Sequence, residues 1–361
     1  MSAREKRGGP VIALDAMGGD VGPEVAIAGA EMARERWPDL RFRIYGQEAA
    51  VSAALRHAPR LQREAEVVAV DGVVLGSDKP SQALRRARGT SMGQAIEAVR
   101  TGAADACVSA GNTGAYMAMA KLALRTLPGI DRPALTALMP TLKRDSVVLD
   151  LGANAESNAE HLVQFAIMGA AFARVVLGLD CPKVALLNIG VEDMKGTEVL
   201  REAATLLRAC AAGLPMRFTG FIEGHGIAEG ETDVVVTDGF SGNIALKTAE
   251  GTAKLVAGLL SRAYASSWRT RLGYLLSRSA LSALKDQLDP NNHNGAVFLG
   301  LDGIAVKSHG AASVRGFANA VRVASDLVRE DILARIKTDM AEFQAHRDRM
   351  VSASAPTPDA A

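Results

Sequence analysis

The chain has 361 residues, of which 41 are basic, 40 are acidic and 48% are hydrophobic. This near-neutral balance gives no electrostatic reason to expect nucleic acid, and 4% aromatic residues leave few platforms on which bases could stack. The three separated cysteines, Cys107, Cys181 and Cys210, form no CxxC pair. They therefore indicate thiols in a reducing compartment rather than a disulfide framework or a zinc site.

The N-terminal residues 1–9 are basic and lack an apolar stretch, so we expect a disordered tail rather than a secretion signal, and a cytoplasmic protein. Short apolar runs then alternate with longer helical patterns, which predicts an α/β fold: a mostly parallel sheet sandwiched by helices. The runs predict strands at 11–14, 42–45, 67–70, 106–108, 147–149, 184–187, 234–236 and 304–306.

Length favours two lobes within residues 10–346, because about 150 residues per domain is usual. We place their boundary in 127–141, which contains three prolines. The apolar stretch 162–179 is interrupted by Gln164 and Arg174, so it predicts a buried helix rather than a membrane span. The composition of 347–361 predicts a disordered tail.

Residues 254–288 are predicted to form a protruding, basic, amphipathic helical segment. Between 254 and 285 there are six basic residues and no acidic one, interleaved with leucines. Such a stretch can lie on an anionic membrane surface, dock an acidic protein, or be an ordinary interface helix pair. The candidate contact residues are Arg262, Trp268, Arg269, Arg271 and Arg278.

Seven glycine-rich polar loops follow apolar runs, and most of them lead into a helical segment. In a parallel sheet such loops gather at the carboxyl ends of the strands, and glycine lets backbone N–H groups approach an anion closely. We therefore predict one convergent anion site. The loops cover residues 15–20, 76–81, 109–114, 150–154, 188–190, 238–243 and 307–310.

Several familiar chemistries are not indicated. The sequence has no GxxxxGK[ST] loop, no HExxH and no GxGxxG after a strand, so we expect neither a metal nor a cofactor. Ser241 lacks the GxSxG spacing of a nucleophile elbow, and we interpret it as a helix N-cap. Lys195 is either a solvated surface lysine or a phosphate contact, and His309 is either structural or functional.

Six of these loops, with their flanking residues, together resemble a known family. They are 12–20, 109–115, 149–154, 186–196, 238–243 and 307–310, within a match from about 11 to 324. The chain resembles the bacterial phosphate acyltransferase family, PlsX, the acyl-acyl carrier protein:phosphate transacylases. Residues 155–157 and 222–226 depart from the family pattern, so Glu156 and His225 receive no role.

The resemblance implies transfer of a fatty acyl group from acyl carrier protein to inorganic phosphate, giving an acyl phosphate for phospholipid synthesis. It also implies a homodimer, loose membrane association and a fold like those of phosphotransacetylase and isocitrate dehydrogenase.

On this basis we assign catalytic roles to Lys195, Asn243 and His309, which would orient phosphate or polarise the carbonyl, and to Asp238, which would position one of the cations. Phosphate and thioester binding is assigned to Asp15, Gly18, Gly19, Ser109, Gly111, Asn112, Thr113, Asn154, Asn188 and Lys307.

Two alternatives stay open. One is a short-chain phosphotransacylase that uses acyl-coenzyme A, and the other is a non-catalytic peripheral membrane adaptor. A related decarboxylating dehydrogenase is disfavoured, because it requires clustered aspartates for a metal and an arginine-rich substrate loop.

Overall fold

The computed structural model describes residues 8–210 and 213–354, and over these residues the chain forms one mixed eleven-stranded sheet. The strands are β1 (Val11–Asp15), β2 (Arg41–Gly46), β3 (Glu66–Ala69), β4 (Ala106–Ser109), β5 (Ala134–Met139), β6 (Ser146–Leu149), β7 (Lys183–Leu187), β8 (Arg217–Ile222), β9 (Val234–Val236), β10 (Ala296–Leu299) and β11 (Ile304–Lys307).

Thirteen α-helices lie in the same described residues. They are α1 (Pro23–Arg36), α2 (Glu48–Leu55), α3 (Pro59–Glu64), α4 (Pro80–Arg85), α5 (Ser91–Arg100), α6 (Thr113–Leu124), α7 (Ala159–Val176), α8 (Glu198–Cys210), α9 (Gly224–Glu229), α10 (Gly239–Ala265), α11 (Trp268–Gln287), α12 (Val314–Arg329) and α13 (Ile332–Ser354).

Both faces of the sheet are covered by helices. In β1, Ile12 and Leu14 belong to a core shared with α1, α7 and α12, whereas Ala13 between them belongs to a second core shared with α5 and α6. Successive side chains of a strand point to opposite faces, so burial on both faces requires apolar residues throughout. This is why the strands read as continuous apolar runs, and it confirms the predicted sandwich.

The sheet has two parallel parts that run in opposite directions. Its order is β3-β2-β1-β4-β11-β10-β5-β6-β9-β7-β8, and the pairs β11–β10, β10–β5 and β5–β6 are antiparallel while the others are parallel. The carboxyl ends of β1, β4 and β11 therefore lie at one end of the sheet, here called the Asp15 end. Those of β6, β7 and β9 lie at the other, here called the Asp150 end.

All eight predicted strands are present within a residue or two of their predicted limits, but β5, β8 and β10 were not predicted. β5 lies between Pro133 and Pro140, in the segment 127–141 that we predicted to be the boundary between lobes. β5 pairs on both sides inside the continuous sheet, so the segment is part of the sheet rather than an unstructured connection, and the boundary stays a prediction. The division into two lobes stays a prediction.

The segment 254–288 is helical except at a break near 266–267, where Ser267 caps α11. The two helices contact each other there through Tyr264 and Tyr274, whose rings lie edge to face with centroids 5.6 Å apart. No residue of α11 is buried, and Trp268 is 71% exposed. These helices therefore present most of their surface, leucines and arginines included, to solvent.

Two predictions about long helices have different outcomes. The apolar stretch 162–179 is largely α7, the one described helix long and apolar enough to span a membrane, and 78% of it is buried in the core as predicted. At the C-terminus α13 continues to Ser354, so the prediction that disorder begins at 347 is wrong for residues 347–354. Residues 355–361, like 1–7, lie outside the described ranges.

Candidate functional site

At the Asp15 end, three predicted residues stand in one row across adjacent strands. Asp15 pairs with Ser109, and Ser109 pairs with Lys307. The buried Asp15 carboxylate accepts 2.6 Å hydrogen bonds from the hydroxyls of Ser109 and Ser91. Burial raises the pKa of Asp15, and the two hydroxyls lower it part of the way. Ser91 begins α5 and no sequence motif marks it, so sequence reasoning missed it.

Lys307 is a buried cation in this row. Its ammonium donates to the carbonyl oxygen of Ala110 at 3.2 Å and to that of Ser308. Burial lowers its pKa to about 8, against the attraction of the Asp15 and Asp20 carboxylates. The group is therefore mostly charged at neutral pH and loses its charge under mildly alkaline conditions.

The glycine loops at this end pack tightly together. A Cβ on Gly18 would lie 2.6 Å from both Asp15 Oδ2 and the backbone nitrogen of Gly111. The side chain of Asn112 is already engaged, because it accepts from Ala115 N as the N-cap of α6 and donates to Gly76 O at 2.7 Å. The Asn112 side chain thus joins two loops, and the loop offers a ligand mainly backbone N–H groups.

Gly18→Ala is expected to lower the free energy of unfolding by about 1–3 kcal/mol, because the added methyl overlaps backbone that cannot move aside easily. Urea denaturation measures the change. Gly76→Ala is the matched control, since a Cβ there meets nothing within 4 Å. Equal stabilities of the two variants would contradict this account of the loop.

His309 follows Lys307 at the Asp15 end and is exposed. Its Nδ1 accepts from Ala311 N at 3.1 Å, so in the neutral ring Nε2 carries the proton. The backbone is fixed by Asn294, which accepts from His309 N at 2.9 Å and donates to Ser308 Oγ at 2.8 Å. Partial burial, and then the Lys307 ammonium, lower the pKa of His309. A shallow depression beside the ring is lined by Gly18, Val21, Ala110 and Gly310.

At the Asp150 end, Asp150 organises the loop that follows β6. One carboxylate oxygen accepts from the backbone N–H groups of Leu135, Gly152 and Ala153, and the other accepts from the backbone and side chain of Asn154. Burial raises the pKa of Asp150, and these donors lower it part of the way. The Asn154 amide also donates to Pro133 O at 2.8 Å. The Asn154 side chain is therefore part of the hydrogen-bonded network around Asp150, here called the Asp150 frame.

The start of α10 is fixed by its own cap and by the Asp150 loop. Asp238 is the N-cap: its carboxylate accepts from the backbone N–H and the hydroxyl of Ser241, both at 2.8 Å. The prediction that Ser241 is the N-cap is therefore wrong, because its hydroxyl is a donor to the true cap. Asn243 donates to Leu151 O at 3.1 Å, which places its amide beside the Asp150 loop.

The loop after β7 adds the last two predicted residues. Asn188 is buried and donates to Lys195 O at 3.2 Å, which closes the loop, while its Oδ1 has no partner among the described residues. Lys195 is exposed, and its ammonium makes no hydrogen bond or ion pair within the described ranges. It is thus free to contact a ligand. Registers place Leu149, Val236 and Leu186 in one row, so the loops after β6, β9 and β7 are neighbours.

The predicted site residues therefore form two groups rather than one row at a single edge of the sheet. The Asp15 end holds Asp15, Gly18, Gly19, Ser109, Gly111, Asn112, Thr113, Lys307 and His309, and the Asp150 end holds Asn154, Asn188, Lys195, Asp238 and Asn243. The prediction that one sheet edge collects all the loops is wrong, because the antiparallel strands β10 and β5 reverse the second half of the sheet.

Helix α10 connects the two groups. It begins at Asp238 at the Asp150 end, and two to three turns later Lys247 and Glu250 form an ion pair of 2.9 Å. The charges of this pair also act on the pKa of His309 at the Asp15 end. Since such effects fall off with distance, the turn of α10 that carries Lys247 and Glu250 lies near His309. Lys247 was missed, although its i+4 spacing from Asn243 was a usable signal.

Solved structures of other proteins share this fold. A phosphotransacetylase from Streptococcus pyogenes superposes with a TM-score of 0.60, at 18% identity, covering 91% of this chain and all of the other. The EutD phosphotransacetylase from Staphylococcus aureus gives 0.57 at 17% identity, covering 89% and 94%. The protein thus has the α/β fold of the phosphotransacetylases.

The family follows from the sequence. The chain belongs to the family described as "Fatty acid synthesis protein", whose model matches residues 11–335. It is 58% identical to a "Phosphate acyltransferase" of Erythrobacter litoralis over 335 residues, 92% of this chain and 94% of the relative. A "Phosphate acyltransferase" of Rhodospirillum rubrum is 54% identical, covering 92% and 95%. The predicted resemblance is confirmed.

Proposed function

We propose that the protein transfers an acyl group from a thioester to inorganic phosphate and releases an acyl phosphate. The observation that carries this proposal is the 58% identity, over nearly the full length of both chains, to a relative named for this activity. Support comes from the groups at the two ends of the sheet, which supply cations, amides and helix starts. Among the hydroxyls described there, those of Ser109 and Ser241 donate to carboxylates rather than to a histidine.

The chemistry asks little of the protein beyond binding and charge stabilisation. A phosphate oxygen attacks the thioester carbon, a C–O bond forms, the C–S bond breaks, and the sulfur leaves as a thiolate. Phosphate is an anion that is partly dianionic near neutral pH, as phosphate monoesters with a second pKa of about 6 indicate, and a thiol with a pKa of about 8.5 leaves without much protonation. Stabilising the tetrahedral oxyanion and holding the reactants together are the remaining tasks.

We assign these tasks to residues of both groups. Phosphate binds between the Lys307–His309 loop and the backbone N–H groups at the start of α6, where His309 Nε2–H donates to it. Lys195 and Asn243 polarise the thioester carbonyl from the Asp150 end. Asp238, held by Ser241, fixes the start of α10 and thereby positions Asn243.

The donor is proposed to be acyl carrier protein, and the protein is proposed to act as a cytoplasmic homodimer that rests loosely on the membrane. Support for both contacts is the exposed pair α10–α11, with Arg262, Arg269, Arg271, Arg278 and Trp268, since acyl carrier protein and membrane surfaces are both acidic. A short-chain transacylase that uses coenzyme A is the competing function, and a non-catalytic membrane adaptor is the competing class.

The direct test incubates the protein with phosphate and long-chain acyl-acyl carrier protein, then traps acyl phosphate as a hydroxamate with hydroxylamine. Phosphate-dependent hydroxamate is the expected result, with the matching coenzyme A thioester a poorer donor. Preference for acetyl-coenzyme A would favour the competing enzyme. No product from any donor would favour the adaptor.

Activity is expected to depend on pH through Lys307. The group is charged below its pKa of about 8, so kcat/KM for phosphate should fall as the pH rises above that value. In Lys307→Arg the cation persists at all accessible pH values, and this alkaline fall should move upward or disappear. A pH–rate profile of both proteins makes the comparison. An identical alkaline limb in the two would contradict the role of Lys307.

Charge reversal tests the membrane contact. Replacing Arg262, Arg269, Arg271 and Arg278 with glutamate should abolish co-sedimentation with vesicles rich in anionic lipid, because each basic residue near such a surface contributes about 1 kcal/mol. Activity on a soluble short-chain donor serves as the folding control. Unchanged co-sedimentation would reject the contact.

A further inference from the structure

Five large apolar side chains are exposed around the polar residues of the Asp150 end. In the loop after β7, Ile189, Val191 and Met194 are 79%, 61% and 85% exposed. In the first turns of α10, Phe240 and Ile244 are 65% and 51% exposed. Exposed apolar residues that gather in one place mark a contact surface more often than isolated ones do.

Strand pairing places the two segments that carry these side chains next to each other. β7 and β9 are adjacent and parallel, with Leu186 opposite Val236, so the loop after β7 and the start of α10 leave the sheet side by side. The loop is closed by the hydrogen bond from Asn188 to Lys195 O.

The apolar side chains flank the two groups assigned to the thioester carbonyl. Lys195 follows Met194 in the same loop. The aliphatic part of its side chain packs on Gly190, where an added Cβ would lie 3.0 Å from Lys195 Cγ. Asn243 precedes Ile244 on α10. A substrate whose carbonyl contacts Lys195 and Asn243 would therefore meet two segments that both carry exposed apolar side chains.

We propose that Ile189, Val191, Met194, Phe240 and Ile244 form the surface on which the hydrocarbon chain of the acyl group lies. The proposal rests on the proposed acyl transfer and extends it, since it assigns chain-length preference to named residues. Burial against such a surface favours long chains, because each methylene removed from water contributes to binding. A carbonyl site without apolar surroundings has no means of distinguishing long from short chains.

The test is a double variant, Phe240→Ser with Ile244→Ser, assayed with thioesters of one carrier whose chains have 4, 8, 12 and 16 carbons. We expect kcat/KM for the longest donor to fall by about tenfold or more and that for the shortest to change by less than about threefold. Leu142→Ser is the matched control: Leu142 is 81% exposed but follows β5 at the opposite end of the sheet. It should change neither.

Equal losses at every chain length, or no loss at all, would overturn the proposal. Light scattering tests whether this surface instead contacts a second copy of the chain. A lower molecular mass of the double variant would also overturn the proposal. Binding of palmitate, measured by calorimetry without catalysis, separates this proposal from the proposed function. Suppose that no donor yields acyl phosphate but the double variant still binds palmitate about tenfold more weakly than the original protein. The proposed hydrocarbon-binding surface is then supported, and the proposed acyl transfer is rejected.

Discussion

Lys195→Ala is expected to lower kcat/KM for acyl phosphate formation by about 10²–10³-fold, the usual loss when one donor to a developing oxyanion is removed. Lys195 is exposed, and its ammonium has no partner among the described residues, so the change removes no hydrogen bond or ion pair that holds the fold together. The melting temperature should therefore stay within about 1–2 °C of the original. Steady-state kinetics with both substrates varied, together with a thermal melt, measure the two effects.

Two further variants sharpen this prediction. Lys195→Arg keeps the charge but changes the geometry of the donors, so partial activity should return. Lys121→Ala removes another exposed lysine, on α6, and should leave the kinetics unchanged. If Lys195→Ala retains activity within about threefold of the original, the assignment of Lys195 to the transition state is wrong.

Asp150→Ala is expected to reduce the free energy of unfolding by about 3–5 kcal/mol. The carboxylate is fully buried and accepts five hydrogen bonds, from Leu135, Gly152, Ala153 and twice from Asn154. Each buried donor left without a partner costs about 1–3 kcal/mol, and partial relaxation makes these costs less than additive. Such a loss is a large part of the stability of an ordinary protein.

Urea denaturation measures the free energy of unfolding of Asp150→Ala, Asp150→Asn and Asp302→Ala. The comparison separates the contribution of the Asp150 carboxylate from that of an ordinary surface carboxylate. Asp150→Asn keeps one acceptor oxygen and should lose about half as much stability as the alanine variant. Asp302 is paired with Lys337 at the surface, 3.0 Å away, so its replacement should cost less than about 1 kcal/mol. A loss in Asp150→Ala as small as that in Asp302→Ala would show that the Asp150 loop does not depend on its carboxylate.

The sequence was most informative where burial dictates residue type. Strands such as β4 and β9 are buried on both faces and appear as uninterrupted apolar runs. β8 contains Gly220 and alternates between exposed and half-buried residues over its first four positions, and β5 is bounded by prolines, so neither has that signature. A glycine inside β8 and prolines at both ends of β5 therefore hide these two strands from a prediction based on composition.

Strand direction was not predictable from the sequence. The end of the sheet at which each loop lies could therefore not be predicted either. The loops after β4 and β6 look alike in sequence because both begin helices or tight turns with glycine and asparagine. Only the antiparallel pairs of β10 and β5 separate them, and β10 was not predicted. The motifs thus supplied candidate residues for a site, but their division between the two ends could not be read from local sequence.

Some polar residues that were predicted to bind phosphate also have structural hydrogen bonds. Asn112 and Asn154 were predicted to bind phosphate, yet their side-chain amides are engaged in a helix cap and in the Asp150 frame. A side chain's existing partners depend on distant residues such as Gly76 and Pro133, which no local pattern identifies. The Lys195 ammonium has no such partner among the described residues, and its contact with the ligand stays a prediction.

The claim on which the mechanism depends is that phosphate attacks the thioester directly, with no acylated side chain in between. Intact-protein mass spectrometry after mixing the protein with an acyl-thioester donor in the absence of phosphate tests this claim. The expected spectrum shows unmodified protein, with free thiol appearing only once phosphate is added. A mass increase equal to the acyl group, formed without phosphate and discharged by it, would contradict direct transfer.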